Sequence, residues 1–252
     1  MAEIKLFSLI VPAYNQEASL MKDINNIQKV LKDAGLLYEM IIVDDGSNDT
    51  TYKIAQFIKP LSKRGTIIPL SYRENKGKGY AIKYGISKAR GDSIGFIDAG
   101  MDINPKAIPQ LLDYLKQYNA DIVVGSKIHK DSKVKYPAFR RILSGGYQTI
   151  NQILFGFSVR DTQVGLKIFK GKVAKKIFNM LGTNRFAFDI EVLTLASLLG
   201  YKVIEAPVNV KFKKEGSITS ANFWLVVFQM LGDTGLVFYK LKSGRYYDKI
   251  HK

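Results

Sequence analysis

Three short strings place carboxylates and small polar groups directly after apolar runs: Pro12-Ala13-Tyr14-Asn15-Gln16-Glu17, Asp44-Asp45-Gly46-Ser47 and Asp98-Ala99-Gly100-Met101-Asp102. Acidic side chains in such places accept hydrogen bonds from a base or ribose, or hold a divalent ion against a diphosphate. Each string alone also makes a serviceable turn or helix cap, the Asp-Gly-Ser-Asn-Asp run above all. Three of them in one half of the chain point beyond turns, to a nucleotide site.

Rival chemistries fail on the letters. No G-x-x-x-x-G-K-S/T loop occurs, and Gly77-Lys78-Gly79 supplies a G-x-G without the third glycine of a dinucleotide fingerprint. His129 and His251 are the only histidines, which excludes a histidine-rich metal site and leaves a histidine-dependent hydrolase little to work with. The absence of cysteine excludes a disulfide scaffold and fits a reducing, cytoplasmic setting.

The elements that must position these residues are legible from apolar runs and breakers. Strands are expected at 6–11 (ended by Pro12), 38–43, 66–70 and 93–97, with helices at about 18–34 and 79–89 and a cap at Asn48 or Asp49 for another. Further on come a strand at 122–124, a helix over 137–158, a strand at 166–169, helices near 172–181 and 188–199, and a last strand over 203–210. Continuous apolar strands alternating with helices predict an α/β fold, a mainly parallel sheet with helices on both faces. In such a sheet ligands bind beyond the carboxyl ends of the strands, where the three acidic strings lie. The 252 residues, 46% of them hydrophobic, suffice for one domain with a full core.

The net charge of +16 is unevenly placed. Residues 125–176 hold 12 basic and 2 acidic residues, and residues 211–252 hold 8 and 3, while the remainder is nearly neutral. The two segments predict a basic face for a polyanion: a phosphorylated substrate, an anionic membrane or nucleic acid. No nucleic-acid-binding module is recognisable, so nucleic acid is not an expected partner. No window reaches the roughly 20 predominantly apolar residues of a membrane span. The nearest, 216–232, carries the cluster Phe223-Trp224-Leu225-Val226-Val227-Phe228 and is followed by Lys240, Lys242 and Arg245, the pattern of an interfacial or partner-docking helix. The expected organisation is a catalytic domain over 1–215 and a C-terminal amphipathic helix with a basic tail over 216–252.

The string Leu9-Ile10-Val11-Pro12-Ala13-Tyr14-Asn15-Gln16-Glu17, then Ile42-Val43-Asp44-Asp45-Gly46-Ser47, resembles glycosyltransferase family 2, as do Asn75-Lys76-Gly77-Lys78-Gly79-Tyr80-Ala81 and Ala89-Arg90-Gly91-Asp92. A narrower likeness, to polyprenyl-phosphate (dolichyl-phosphate) mannosyl- and glucosyltransferases, rests on Val124-Gly125-Ser126-Lys127, Phe139-Arg140-Arg141, Ser144, the string Asp161 to Lys167, and Phe188-Asp189-Ile190-Glu191. The resemblance spans roughly residues 5–215. It implies a GT-A (Rossmann-like) fold and inverting transfer of a hexose from a nucleotide-sugar to a lipid phosphate. On the matching positions, Pro12, Tyr14, Glu17, Asp44, Asp45, Lys78, Asp98 and Ala99 would bind the donor. Asp98 would hold the metal–diphosphate unit, with Mg²⁺ or Mn²⁺ as the ion. Lys127, Arg140, Arg141 and Ser144 would take the acceptor phosphate, and Asp98, Arg140 and Ser144 would carry catalysis. A phosphate acceptor is already ionised at neutral pH, so it needs positioning and charge compensation more than a general base. Asp189 and Glu191 are therefore expected in acceptor-pocket or structural roles.

The sequence departs from the family's D-x-D motif at Gly100. Three readings follow: Asp98 holds the ion with diphosphate and water alone, Asp102 substitutes, or the metal site is weak. The string Asp161-Thr162-Gln163-Val164-Gly165-Leu166-Lys167 favours a UDP-glucose-type donor, GDP-mannose being the alternative. The reading is thus a transferase acting peripherally at the cytosolic face of a membrane, on its own or with a separate membrane subunit. The alternatives are a family 2 enzyme with a glycan or soluble acceptor, and a nucleotide-sugar-binding scaffold weakened by Gly100.

Overall fold

The computed structural model describes residues 4–100, 102–135, 138–156, 159, 161–162, 164–185, 187–211 and 223–244; the side chains of 134–144, 147, 211 and 223–230 lie outside the description. The elements run β1 (Phe7–Ala13), α1 (Leu20–Asp33), β2 (Tyr38–Asp44), α2 (Thr51–Phe57), β3 (Gly65–Ser71), α3 (Lys78–Lys88), β4 (Ser93–Ile97), α4 (Ala107–Gln117) and β5 (Ile122–Ser126). They continue with β6 (Val134–Lys135), α5 (Ala138–Phe155), β7 (Leu166–Lys170), α6 (Gly171–Met180), α7 (Phe188–Leu198), β8 (Val203–Pro207), β9 (Val210–Lys211) and α8 (Phe223–Lys242).

Seven strands form one sheet in the order β3-β2-β1-β4-β7-β5-β8, and β6 pairs with β9 apart from it. All neighbours in the large sheet are parallel except β7, which runs antiparallel to both β4 and β5. The chain leaves β1 toward β2 and β3, then returns to the other side of β1 as β4. That reversal makes the carboxyl ends of β1 and β4 the topological switch point, the place where open α/β sheets bind ligands. Because β7 runs backwards, its first residue, Leu166, pairs with Ile97 at the end of β4. The segment just before β7 therefore reaches the same edge as Asp98.

The apolar runs of the strands divide between two cores. Phe7, Leu9 and Val11 of β1 pack with Ile24, Ile27 and Leu31 of α1 and with Ile108 and Leu111 of α4 on one face. Ile10 of β1 joins Ile41, Ala81, Ile82, Phe96, Ile177 and Ile190 on the other. This is why these strands read as unbroken hydrophobic stretches rather than alternating ones. Both cores are fully buried at their centres, as expected for a sheet covered by helices on each side.

Three local expectations change. Pro12 does not end β1; it pairs in register with Val43, beyond the last contact with β4 at Ile10, where β1 has a neighbour on one side only. The strand expected over 203–210 is two, broken at Val208-Asn209, with β9 moving to the small sheet. Helix α4 was not anticipated. The letters Gly91-Asp92-Ser93-Ile94-Gly95 have the spacing of a nucleophile elbow, but Ser93 opens β4 rather than following a strand, is buried, and lies at the edge opposite Asp98.

Helix α8 lies on the second core: Val237 is buried in it, and the Phe238 ring meets Phe155 of α5 edge-on, centroids 5.8 Å apart. Leu231, Leu236 and Tyr239 of α8 and Ile150 and Ile153 of α5 remain exposed. Among the described residues no helix is long and apolar enough to cross a membrane. Residues 216–222 and 245–252 of the expected C-terminal segment lie outside the described residues.

Candidate active site

Asp98 follows β4 directly, and its backbone N–H donates to the Gly165 carbonyl at 3.1 Å. Its carboxylate rests on the α-carbon of Gly165, where any Cβ would overlap it. Lys78, the first residue of α3, places its ammonium 2.6 Å from Asp98 Oδ1 and 2.9 Å from Oδ2. Burial pushes the Lys78 ammonium toward neutrality, but the negative charges of Asp98 and then Asp189 outweigh it and raise its pKa above the ordinary lysine value. Asp98 Oδ1 is buried and makes no hydrogen bond of acceptable geometry despite that ion contact.

The acidic strings after β1 and β2 meet at one edge of the sheet. The loop after β1 and the turn after β2 are stitched together: Asn15 N–H to Ser47 Oγ at 2.9 Å, Asn48 N–H to Asn15 Oδ1 at 3.0 Å, and Gln16 N–H to Thr51 Oγ1 at 2.7 Å. Glu17 is engaged in that seam, its Oε2 accepting the Thr50 hydroxyl at 2.8 Å and the Thr50 N–H at 3.0 Å. Tyr14 is exposed and Pro12 and Ala99 are half-buried along the same edge.

The two neighbouring aspartates do different things. Asp45 is saturated: Oδ1 accepts the Tyr72 hydroxyl at 2.6 Å and the Lys76 N–H at 2.9 Å, and Oδ2 accepts the Gly77 N–H at 3.0 Å and the Asn75 amide at 3.1 Å. It ties the 72–77 segment, and so the start of α3 and Lys78, to the end of β2. Burial and the Asp45 bond together push the Tyr72 phenol well above its usual range. Asp44 accepts the Ser47 N–H at 3.3 Å, and burial raises its carboxyl above the usual carboxylate range.

On the other side of β4, Lys127 follows β5. Its N–H donates to Asp161 Oδ2 at 2.7 Å, and its ammonium stands 3.8 Å from Oδ1. Gln148 of α5 also donates to Asp161 Oδ1, at 3.3 Å, so α5 is fastened to the end of β5 through this one carboxylate. Burial raises the Asp161 pKa against the pull of Lys127. Arg140, Arg141 and Ser144 occupy the first turns of α5, their side chains outside the described residues. Sequence reading had quoted Asp161 only as part of a string and missed Gln148. The available signal was that Asp161 is one of two acids in an otherwise basic stretch.

Deeper, Lys167 of β7 and Asp189 of α7 are both buried and 2.5 Å apart. Glu191 accepts the Thr183 N–H and hydroxyl, each at 2.6 Å, and holds the turn before α7. Both carboxylates are engaged within the protein, Asp189 by Lys167 and Glu191 by Thr183.

The residues fit a divalent ion on modest terms. Asp98 offers an acceptor-only carboxylate with an unbonded buried oxygen. At the second position of the motif, Gly100 has φ +98°, a backbone state that L side chains resist, and its N–H donates to Asp23. Asp102 is exposed, and among the described residues no three potential ligands cluster. Mg²⁺ needs only one or two carboxylates when diphosphate oxygens and waters complete its shell.

The family model for glycosyl transferase family 2 matches residues 8–178. Dolichyl-phosphate beta-glucosyltransferase of Dictyostelium discoideum is 34% identical over 215 residues, covering 80% of this chain and 65% of the relative. The enzymes of that name from Drosophila melanogaster and Homo sapiens are 35% and 34% identical, covering 80% and 81% of this chain and 65% and 67% of their own lengths. The chain thus spans about two thirds of these relatives. Among solved structures, glucosyl-3-phosphoglycerate synthase from Mycobacterium tuberculosis, in complex with Mn²⁺, UDP and phosphoglyceric acid, superposes with TM-score 0.69 at 18% identity, over 93% of this chain and 78% of its own. A mannosyltransferase from Pyrobaculum calidifontis in complex with GDP-Man and Mn²⁺ gives TM-score 0.55 at 18% identity, over 85% and 59%. These neighbours share the GT-A fold. With the family match over most of the chain and the acidic strand ends assembled at one edge of the sheet, the chain belongs to glycosyl transferase family 2.

Proposed function

We propose that the protein transfers a hexose, with inversion, from a nucleotide-sugar of the UDP-glucose type to a polyprenyl phosphate. One observation carries this reading: every buried polar side-chain atom left without a hydrogen bond among the described residues falls at one of two places. One is Asp98; the others are Ser126, Thr162 and Asn151, which are the chain neighbours of Lys127 and Asp161 and the residue three beyond Gln148. Buried polar groups without a hydrogen bond are costly: the hydroxyl and amide donors of Ser126, Thr162 and Asn151 can be completed by a ligand's oxygens, whereas the Asp98 oxygen, already beside the Lys78 ammonium, takes a cation. The donor diphosphate belongs at the first place, with Asp98 holding Mg²⁺ or Mn²⁺ and Lys78 beside it; the ion would neutralise the leaving diphosphate. The acceptor phosphate belongs at the second, with Lys127, Arg140, Arg141 and Ser144 supplying cations and a hydroxyl. Asp44 faces the base or ribose, while Asp45 serves by holding the loop that carries Lys78. The relatives named for dolichyl phosphate and glucose support both substrate classes.

The lipid acceptor places the reaction at a membrane. In this reading residues 216–252 form a membrane-facing unit on the 1–215 catalytic domain, with exposed Leu231, Leu236 and Tyr239 of α8 and the exposed Lys242 at its end, at the cytosolic face.

The test is a thermal-shift panel of UDP- and GDP-sugars with Mg²⁺, Mn²⁺ or chelator, followed by transfer to a short polyprenyl phosphate. Metal-dependent stabilisation by UDP-glucose, lost in Asp98→Ala, and transfer lost in Lys127→Ala and Arg140→Ala are the expected results. Transfer to the polyprenyl phosphate that survives both substitutions removes Lys127 and Arg140 from the acceptor site, and donor turnover with a soluble acceptor but none with the polyprenyl phosphate assigns a soluble acceptor instead. Donor binding with no turnover under any condition assigns a scaffold.

A further inference from the structure

The apolar stripe of α1 has a carboxylate on its flank. Leu20, Ile24, Ile27 and Leu31 face the core at helical spacing, and position 23 falls beside them, where the pattern calls for an apolar residue. Asp23 stands there instead, 1% exposed. A buried carboxylate is costly unless it is hydrogen-bonded, so the reason for it lies in what it bonds. Its Oδ2 accepts the N–H of Gly100 at 3.1 Å, linking the first turn of α1 to the loop that leaves β4. A backbone N–H that donates to an anion makes a stronger bond than one between neutral groups.

Gly100 is where that loop needs a hold. Glycine populates both signs of φ about equally, so by itself it leaves the exit from β4 open to several courses. Here φ is +98°, and among the described residues nothing lies within 4 Å of where its Cβ would be. Packing against a neighbour does not select this backbone state; the bond to Asp23 does. On either side the loop is tied through its backbone, Asp98 N–H to the Gly165 carbonyl at 3.1 Å and Asn104 N–H to the Asn209 carbonyl at 3.0 Å.

We propose that Asp23 is a positioning residue of the metal–diphosphate site: by holding Gly100 it fixes the backbone just beyond Asp98, and so the angle at which the Asp98 carboxylate meets the ion. This rests on the reading of Asp98 as the metal-binding carboxylate. A second carboxylate in the motif would place the ion by coordinating it. With Gly100 in that position, placement comes from behind, through the main chain.

Mn²⁺ titration followed by electron paramagnetic resonance, on the whole protein with saturating UDP, tests this. Asp23→Ala should weaken Mn²⁺ binding about tenfold, the lower end of the loss usual when a group that orients a metal ligand is removed. Asp23→Asn, which keeps an acceptor oxygen in place, should recover most of that loss. Gly100→Ala leaves Asp23 intact, but its Cβ disfavours the positive φ, and it should weaken Mn²⁺ binding to a similar degree. Because both substitutions act through one turn, the double variant should be no weaker than the worse single one. Losses that add in the double variant overturn the proposal. So does unchanged Mn²⁺ binding in folded Asp23→Ala with only a lower melting temperature, the mark of a residue that serves the fold alone. An Asn variant as weak as the Ala variant overturns it too, because the charge would then act through space and not through the bond. Should Asp23→Ala not fold, Gly100→Ala carries the test, and unchanged Mn²⁺ binding there overturns the proposal. If wild type with UDP binds no Mn²⁺, or Asp98→Ala binds it equally, the reading of Asp98 itself fails. If that control holds and the Asp23 and Gly100 variants do not move, only the positioning role fails.

Discussion

At the scale of single residues, the site depends on what is missing as much as on what is present. Gly165 has no Cβ because the Asp98 carboxylate takes its place. Gly165→Ala should therefore leave the melting temperature close to that of the wild type while displacing Asp98 from the place at which we propose it meets the metal–diphosphate unit. Transfer should fall about a hundredfold, the scale of a 1 Å misplacement, in a steady-state assay at saturating donor. The neighbouring aspartates offer a sharper contrast. Asp45 accepts four hydrogen bonds from 72–77, so Asp45→Ala should cost about 3 kcal/mol in a denaturant titration and weaken donor binding with it. Asp44→Ala should change stability little and still weaken UDP binding, read by calorimetry. Equal destabilisation by the two would mean that Asp44 is a scaffold residue as well.

Among the elements, what was legible in the sequence follows from burial. Strands β1, β2, β4 and β7 announce themselves as apolar runs because both faces of the sheet are covered, and Gly35 marks the end of α1 by its φ of +66°. Helix α4 is harder to read: Ile108, Leu111, Leu112 and Leu115 make a buried stripe at helical spacing, but Pro109 stands within its first turn and no side chain caps its start. The split of the last strand was not legible either: Val208 and Val210 are both buried, so hydropathy runs on while the hydrogen bonds pass to another sheet. In the site, residues at strand ends could be found by type and position. The partnership of Lys167 with Asp189 and of Asp161 with Gln148 could not, since each joins residues from separate elements whose meeting is set by β7 running backwards. Gln148 gives this a test at its own scale. Gln148→Ala loosens the fastening of α5 to Asp161, so it should raise the KM for the polyprenyl phosphate several-fold and leave the KM for the donor unchanged.

For the whole molecule, acid stability is set in part at the edge opposite the site. Glu39 is buried there; burial opposes its charge, yet Ser8 Oγ–H, Arg90 N–H and the Arg90 guanidinium donate to it and hold its carboxyl below the ordinary glutamate range. A folded-state pKa lowered in this way contributes stability above the unfolded value and loses it as pH falls through the folded one. Glu39→Gln should lower stability by about 2 kcal/mol at neutral pH, and the gap to wild type should close as the pH is taken below the usual glutamate pKa in urea titrations. The basic excess carried by residues 125–176 and 211–252 makes a second prediction for the whole: flotation with anionic liposomes should succeed at low salt and fail as ionic strength rises. The reversed strand has a consequence in time as well as in space. On the ribosome, β4 and β5 are both made well before β7, the strand that must lie between them and pair with each. A nascent chain that has emerged only as far as residue 130 carries two strands with facing edges unfilled and must hold them apart or keep them unformed. The second half of the sheet, and with it the joining of donor and acceptor sides, can be completed only when residues 166–170 arrive. Protease resistance of stalled nascent chains should accordingly appear as a late step, after β7 has cleared the exit tunnel, and not in two stages.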